Sequence, residues 1–208
     1  MTAKEDQYAR KAEGWTDVEY ADARAYLDHR AALIATLGVP LRPGDEVLDL
    51  ACGDGGLGEH LLARGVRYTG IDAEPAMVDA ARRRLGDRAV IGVGDLNAFV
   101  PEEPVAATTV FRAIYYAHER AAFFARAARF TERKLVLDLN PRQYRVDDVV
   151  AELVEAGFPN VALRPFFVPQ TQRLPRPVVA LAKAAERSGP LARLALRARF
   201  TYLVAACR

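Results

Sequence analysis

The chain has 208 residues, 51% hydrophobic and 27% charged, with a net charge of +2; this balance suits one folded domain and excludes disordered and fibrous classes. Its two cysteines, Cys52 and Cys207, exclude a disulfide framework and a cysteine-rich zinc site, and both read as reduced thiols. No apolar leader opens MTAKEDQYARKAEGW and no apolar run approaches the length of a membrane span, so a cytoplasmic location is expected.

In chain order, residues 5 to 37 carry Tyr20, Ala23, Leu27 and Ala31 at helical spacing, then Leu33, Ile34 and Leu37, until Gly38 and Pro40 stop the pattern. A β-rich run from Glu46 to Ala51 ends in glycines, and helical character resumes over Glu59 to Arg64. The alternation then predicts a strand Tyr68 to Asp72, a helix Pro75 to Leu85, and strands Ala89 to Val93 and Ala107 to Ile114. A helix Ala121 to Phe130, a strand Leu135 to Leu139 and a helix Val146 to Ala156 follow. Last come a strand Val161 to Val168, a basic helical stretch Pro175 to Ala198 and a strand Phe200 to Ala206. Strands separated by helix-length segments imply parallel β-α-β units and an α/β, doubly wound, mostly parallel sheet of seven strands. One domain over 1–208 is expected, with an N-terminal helical lid at 1–40, a core at 41–170, a basic helical insertion at 171–199 and a last strand at 200–208.

Gly53, Gly55 and Gly58 spell G-x-G-x-x-G in VLDLACGDGGLGEHL. At the first strand-to-helix turn of such a sheet this suggests a dinucleotide, its pyrophosphate on the helix N-terminus. Asp49, four residues before Gly53, opposes phosphates and suits an ammonium or sulfonium instead. A tight packing turn without a ligand is the plainer alternative.

The run Asp49-Leu-Ala51-Cys-Gly53-Asp-Gly55 resembles the first motif, D/E-x-G-x-G-x-G, of the class I S-adenosylmethionine-dependent methyltransferases, with Ala51 in place of the first glycine. Gly70-Ile-Asp72-Ala73 supplies an acid nineteen residues after Gly53, placed to accept ribose hydroxyls. Gly94-Asp95-Leu96 resembles the family's adenine motif, with Asp95 accepting from the exocyclic amine and the next backbone N–H reaching a ring nitrogen. Asp95 also reads as a turn cap, and Met77 reads equally as an adenine contact or a core methionine. The resemblance implies S-adenosyl-L-methionine as cofactor, an antiparallel last strand, an N-terminal lid and an acceptor site past the fourth and fifth strands. Arg112, just past the fourth strand, would meet the methionine end of the cofactor.

Methyl transfer from a sulfonium is an in-line displacement in which alignment supplies much of the effect, so a base is optional. Tyr115, Tyr116 and His118 are the catalytic candidates, His118 as a base or as an ordinary surface residue. His29 and His60 read as helix positions. Trp15 and Tyr20, with Tyr8 and Tyr26, are candidate lid and substrate contacts, and Asn140 faces the same crevice from the fifth strand, near Asp138, Arg142 and Tyr144. No ligand spacing suggests a metal, and metal independence is expected.

Between Gln170 and Arg199 seven basic residues face one acid, Glu186, a local charge of +6. Two short amphipathic helices joined at Ser188-Gly189-Pro190 would cap the acceptor pocket, lie on an anionic membrane or meet an acidic partner, the plainest reading being a solvated basic face over a packed lid. Nucleic acid is disfavoured because stacking aromatics are not interleaved. The expected reaction is methyl transfer to an O, N or C atom of a small organic, apolar acceptor. A nicotinamide-dependent oxidoreductase and a cofactor-binding protein without turnover stay open. The oligomeric state is not legible.

Overall fold

The computed structural model describes residues 14–197 and 201–208. Two N-terminal helices, α1 (Trp15–Glu19) and α2 (Ala23–Thr36), precede β1 (Glu46–Leu50), α3 (Gly56–Leu62), β2 (Arg67–Asp72), α4 (Pro75–Leu85), β3 (Val90–Val93) and β4 (Val105–Val110). Then come α5 (Arg120–Phe130), β5 (Thr131–Leu139), α6 (Val146–Glu155), β6 (Asn160–Pro165), α7 (Arg176–Arg187), α8 (Gly189–Arg197) and β7 (Tyr202–Cys207).

The strands form one sheet in the order β3-β2-β1-β4-β5-β7-β6. β1 pairs in parallel with β2 and β4, β2 with β3, and β4 with β5, while β7 runs antiparallel between β5 and β6. β4 and β7 are buried along their whole length, as expected of strands covered on both faces. Strand alternation divides the core. Val47 faces Leu27, Leu61 and Val78 under α2, α3 and α4; Leu48 and Leu50 face Phe123, Phe124, Val149 and Leu153 under α5 and α6. Asp49 shares the face of Val47. The chain winds outward from β1 to β3 and then crosses to β4 on β1's other side, so the crevice at the C-terminal ends of β1 and β4 is the switch point where ligands bind in open α/β sheets.

Several boundaries differ from the sequence-based expectation, each for a local reason. The N-terminal helical run is broken between Tyr20 and Asp22, because the Asp22 side chain accepts from Ala25 N at 3.0 Å and starts a new helix; its expected start at residue 5, with Tyr8, lies outside the described residues. β4 stops at Val110 rather than Ile114, since Arg112 takes φ 53° and turns the chain into a 3-10 turn at Ile114–Tyr116. β5 begins at Thr131, four residues early. β6 ends at Pro165 rather than Val168, freeing 166–170 to line a cavity. The expected start of the last strand, Phe200, is not described; β7 begins at Tyr202.

Candidate active site

The turn after β1 is shaped by left-handed backbone. Gly53 and Gly55 have φ of 57° and 76°, and Ala51, where the motif favours glycine, has φ 64°; an L-residue there costs roughly 1–2 kcal/mol. A side-chain carbon added at Gly53 would meet nothing within 4 Å, so open space lies over this backbone. At Gly55 it would lie 3.2 Å from the Ala81 side chain, so α4 packs directly on the loop there.

Asp49 sits beneath this turn, 2% exposed. Its Oδ1 accepts from the Thr109 hydroxyl at 2.6 Å and its Oδ2 from Tyr68 at 2.7 Å. Burial pushes its pKa up to about 6 in spite of those two donors. Asp72, at the end of β2, is partly exposed: Oδ2 accepts from Gly53 N at 2.8 Å and Oδ1 from Glu74 N at 2.9 Å. Each oxygen keeps a second acceptor site for a ligand hydroxyl. Burial raises its pKa, against the Glu74 and Gly53 N–H groups.

The neighbouring strand end joins this site, since Gly94 N donates to the Asp72 carbonyl at 2.9 Å. Asp95 is exposed and Leu96 buried. Asn97, which nothing in its sequence context marked, ties three segments together. Its Nδ2 donates to Asp95 Oδ1 and to the Tyr116 carbonyl, and its Oδ1 accepts from His118 N. The loop after β3 is thereby fixed to the loop after β4.

α1 lies on the glycine turn. Asp54, 3% exposed, accepts from Thr16 N at 2.9 Å and from the Thr16 hydroxyl at 2.5 Å, and Arg84 holds the same carboxylate at 2.8 Å. Trp15 packs with Ala76, Met77 and Ala80 of α4. The N-terminal segment is therefore seated over the turn by a carboxylate from the turn itself.

Beyond the ends of β4 and β5 a cavity of about 730 Å³ opens. Its wall includes Tyr26 of α2, Arg112 and Tyr115 after β4, Asp138 and Asn140 of β5 and its loop, Tyr144, and residues 166–170. Arg112 N donates to Asp138 Oδ1 at 2.7 Å, and its guanidinium to Glu19 Oε1 at 2.8 Å. Burial alone would lower the Arg112 pKa, but hydrogen bonding to Glu19 holds it above the ordinary arginine value. A non-glycine residue in this conformation, at a strand end in a cleft, marks the place where loop and cavity meet. Behind the wall Arg30, 2% exposed, donates to the Tyr26 hydroxyl at 2.7 Å and lies over the Phe111 ring at 4.5 Å from its centroid.

The structure brings Asp49, Ala51, Gly53, Gly55, Asp72, Asp95, Leu96 and Arg112 to one edge of the sheet, and puts Ala73 exposed at the entry to α4. Met77 is 3% exposed under Trp15. Trp15, expected on the acceptor side, rests against α4 instead, because the Asp54–Thr16 contact pins α1 there. Tyr20 is 9% exposed and packs on Tyr26, centroids 4.7 Å apart. Tyr115 and Asn140 are in the cavity wall; Tyr116 and His118 are exposed and are not among its lining residues. His29 is buried against Glu186, Nε2 to Oε2 2.5 Å. No group of three or more potential metal-ligating side chains occurs among the described residues. Glu19, Asp54 and the 166–170 wall were not legible as site residues, because their partners lie tens of residues away; Arg30 bonds Tyr26 four residues back but covers the distant Phe111 ring, and only the Asp54 position inside the glycine motif carried a signal.

The residues present fit S-adenosylmethionine. Open backbone at Gly53, a half-exposed carboxylate at Asp72 with free acceptor sites and an exposed Asp95 are the donor and acceptor set that an adenosine needs, while Arg84, the arginine at the turn, is held by the Asp54 carboxylate and carbonyl. Residues 47–134 match a family model described as a methyltransferase domain. An uncharacterized methyltransferase of Geobacillus thermodenitrificans (strain NG80-2) is 35% identical over 101 residues, 48% of this chain and 44% of that protein. The chain thus spans less than half the length of the curated relatives it matches. A TehB-like methyltransferase from Corynebacterium glutamicum aligns over 99% of both chains with a TM-score of 0.65 and 18% identity. The magnesium protoporphyrin IX methyltransferase of Synechocystis PCC 6803, solved with bound cofactor, aligns over all of this chain and 85% of that one, at a TM-score of 0.60 and 17% identity.

Proposed function

We propose, from its sheet order and the methyltransferase-domain match over residues 47–134, that the chain is a class I S-adenosylmethionine-dependent methyltransferase that moves a methyl group to an O, N or C atom of a small organic acceptor. The observation that supports this reading is the open backbone at Gly53, bonded to the Asp72 carboxylate, at the same end of the sheet as an aromatic cavity of about 730 Å³ beyond β4 and β5 that Arg112 lines. That volume suits a small molecule rather than a polymer surface.

Gly53, Asp72, Asp95 and Leu96 would hold the adenosine half of the cofactor, and Arg112 its carboxylate. When bound, the cofactor supplies an electrophilic methyl group on a positively charged sulfur. The buried Asp49 beneath the turn, its oxygens held by Thr109 and Tyr68, would favour that charge when ionised. α1 closes over the turn through Asp54 and excludes water.

The chain's own contribution to transfer is placement. Tyr26, Tyr115, Tyr144 and Phe166 offer flat apolar faces, while Asn140 and Asp138 offer polar ends that fix one orientation of the acceptor. No histidine lines the cavity, so acceptor alignment carries the reaction, and an acceptor atom that reacts without losing a proton to a histidine suits it best. His118 and Tyr116, exposed outside the wall, would act only if the loop after β4 moved inward.

Incubating the protein with methyl-labelled cofactor and a cell extract, then partitioning between organic and aqueous phases, tests turnover and acceptor class together. Label in an organic-soluble small molecule is the expected result. Label in RNA or protein alone would reject a small acceptor, and no label in any fraction would favour a cofactor-binding protein without turnover.

A further inference from the structure

The α7–α8 hairpin is built oddly for a surface helix pair. Each helix keeps a stripe of large apolar side chains in water: Val178 and Leu181 on α7 are 43% and 71% exposed, and Leu191 and Leu194 on α8 are 52% and 63% exposed. Residues three apart share one side of a helix, so each pair forms a ridge rather than a scatter. Isolated exposed leucines need no explanation, but two such ridges on adjoining helices do.

The charge of the hairpin is sorted in the opposite way. Its one acid, Glu186, is 1% exposed. Its Oε2 meets His29 Nε2, its Oε1 accepts from Phe167 N at 2.6 Å, and Arg164 donates to its carbonyl at 3.0 Å. The basic residues stay outside: Arg173, Arg176, Arg187 and Arg193 are exposed and Lys183 partly so. Folding therefore removes the single negative charge from the surface and leaves apolar ridges among cations.

From this sorting we infer that the α7–α8 hairpin is a docking surface for an anionic lipid bilayer. Leucine tips among arginines and lysines are what a helix lying in the interface plane presents: the apolar tips enter the acyl boundary and the cations meet lipid phosphates. A hairpin whose described exposed charges are all positive discriminates for anionic lipid by charge, and a bilayer needs no shaped groove to receive it. Position supports the same occupant. The cavity wall residues 166–170 lead directly into the hairpin and Thr201, also in the wall, follows it, so docking would set the acceptor cavity at the bilayer. No helix among the described residues is long and apolar enough to cross a membrane, so contact would be at the surface. The inference does not depend on methyl transfer taking place.

Co-sedimentation with vesicles of equal parts phosphatidylglycerol and phosphatidylcholine, against phosphatidylcholine alone, tests it. The protein is expected to sediment with the mixed vesicles at least about tenfold more strongly than with the neutral ones, and added salt should release it. The double variant Leu181→Ser/Leu194→Ser should lose at least about tenfold in partitioning while its affinity for S-adenosylhomocysteine, or its thermal midpoint should it bind none, stays unchanged, which separates lost docking from lost folding. Failure of the native protein to sediment with mixed vesicles, equal sedimentation of the double variant, or a stable dimer that the double variant splits would each overturn the inference.

Discussion

Gly53 and Gly55 lie two residues apart with similar backbone, yet a side chain meets open space at one and α4 at the other. Gly53→Ala should therefore cost only the left-handed penalty, roughly 1–2 kcal/mol, while weakening S-adenosylhomocysteine more than about tenfold, because the new methyl occupies the ligand's approach. Gly55→Ala should cost roughly 2–3 kcal/mol in thermal or urea unfolding, since strain and crowding against Ala81 add. Equal losses of stability at both positions would contradict this distinction. Asp49 gives a pH signature. Its folded pKa of about 6 lies above the ordinary 3.8, so its contribution to stability is full below about pH 3.8 and is lost as pH rises through about 6, on the order of 3 kcal/mol in all. Cofactor affinity should run the other way, tightening as Asp49 ionises. Titration of S-adenosylmethionine from about pH 5 to about pH 8 should show that rise in the native protein and a flatter profile in Asp49→Asn. The motif residues themselves were legible in the sequence. What held Asp49 was not: Tyr68 and Thr109 come from two other strands, and only sheet pairing makes them neighbours.

At the scale of elements, the strands were readable wherever an apolar run ended in a glycine or an acid, as at β1, β2 and β3. They were misread where tertiary geometry cut the run short. Phe111 to Ile114 is as apolar as a strand, but Arg112 turns the backbone to reach Asp138 with its N–H; nothing local announces that bond. The N-terminal run reads as one helix until Asp22 recaps it, and the seat of α1 depends on Asp54, thirty-eight positions from Thr16. That seat predicts a separable motion. Thr16→Ala should make the α1 segment several-fold more sensitive to limited proteolysis and speed cofactor release, with the unfolding midpoint of the sheet core nearly unchanged. If the core midpoint fell as far as the proteolytic half-life, α1 would be part of the core rather than a cover. The basic insertion was legible as two amphipathic helices; the burial of Glu186 against His29 was not, since a lone acid among arginines reads as an ordinary surface residue.

For the molecule as a whole, alternation of strands and helices was enough to expect a doubly wound sheet, and the seven strands in the order β3-β2-β1-β4-β5-β7-β6, with β7 antiparallel, bear that out. This order places the crevice between β1 and β4, with the open backbone of Gly53 after β1 and the aromatic cavity, lined by Arg112, beyond β4 and β5. The cavity itself had no sequence signature, because its wall exists only once β6 stops at Pro165 and the chain folds back beside β7. The central claim is that the cleft over Gly53 takes a sulfonium cofactor rather than a dinucleotide. Calorimetric titration of the native protein and Asp72→Ala with S-adenosylhomocysteine and with NADH tests it most directly. The account predicts saturable binding of S-adenosylhomocysteine, weakened at least about tenfold by Asp72→Ala, and no binding of NADH; tight NADH binding with none of S-adenosylhomocysteine would contradict it.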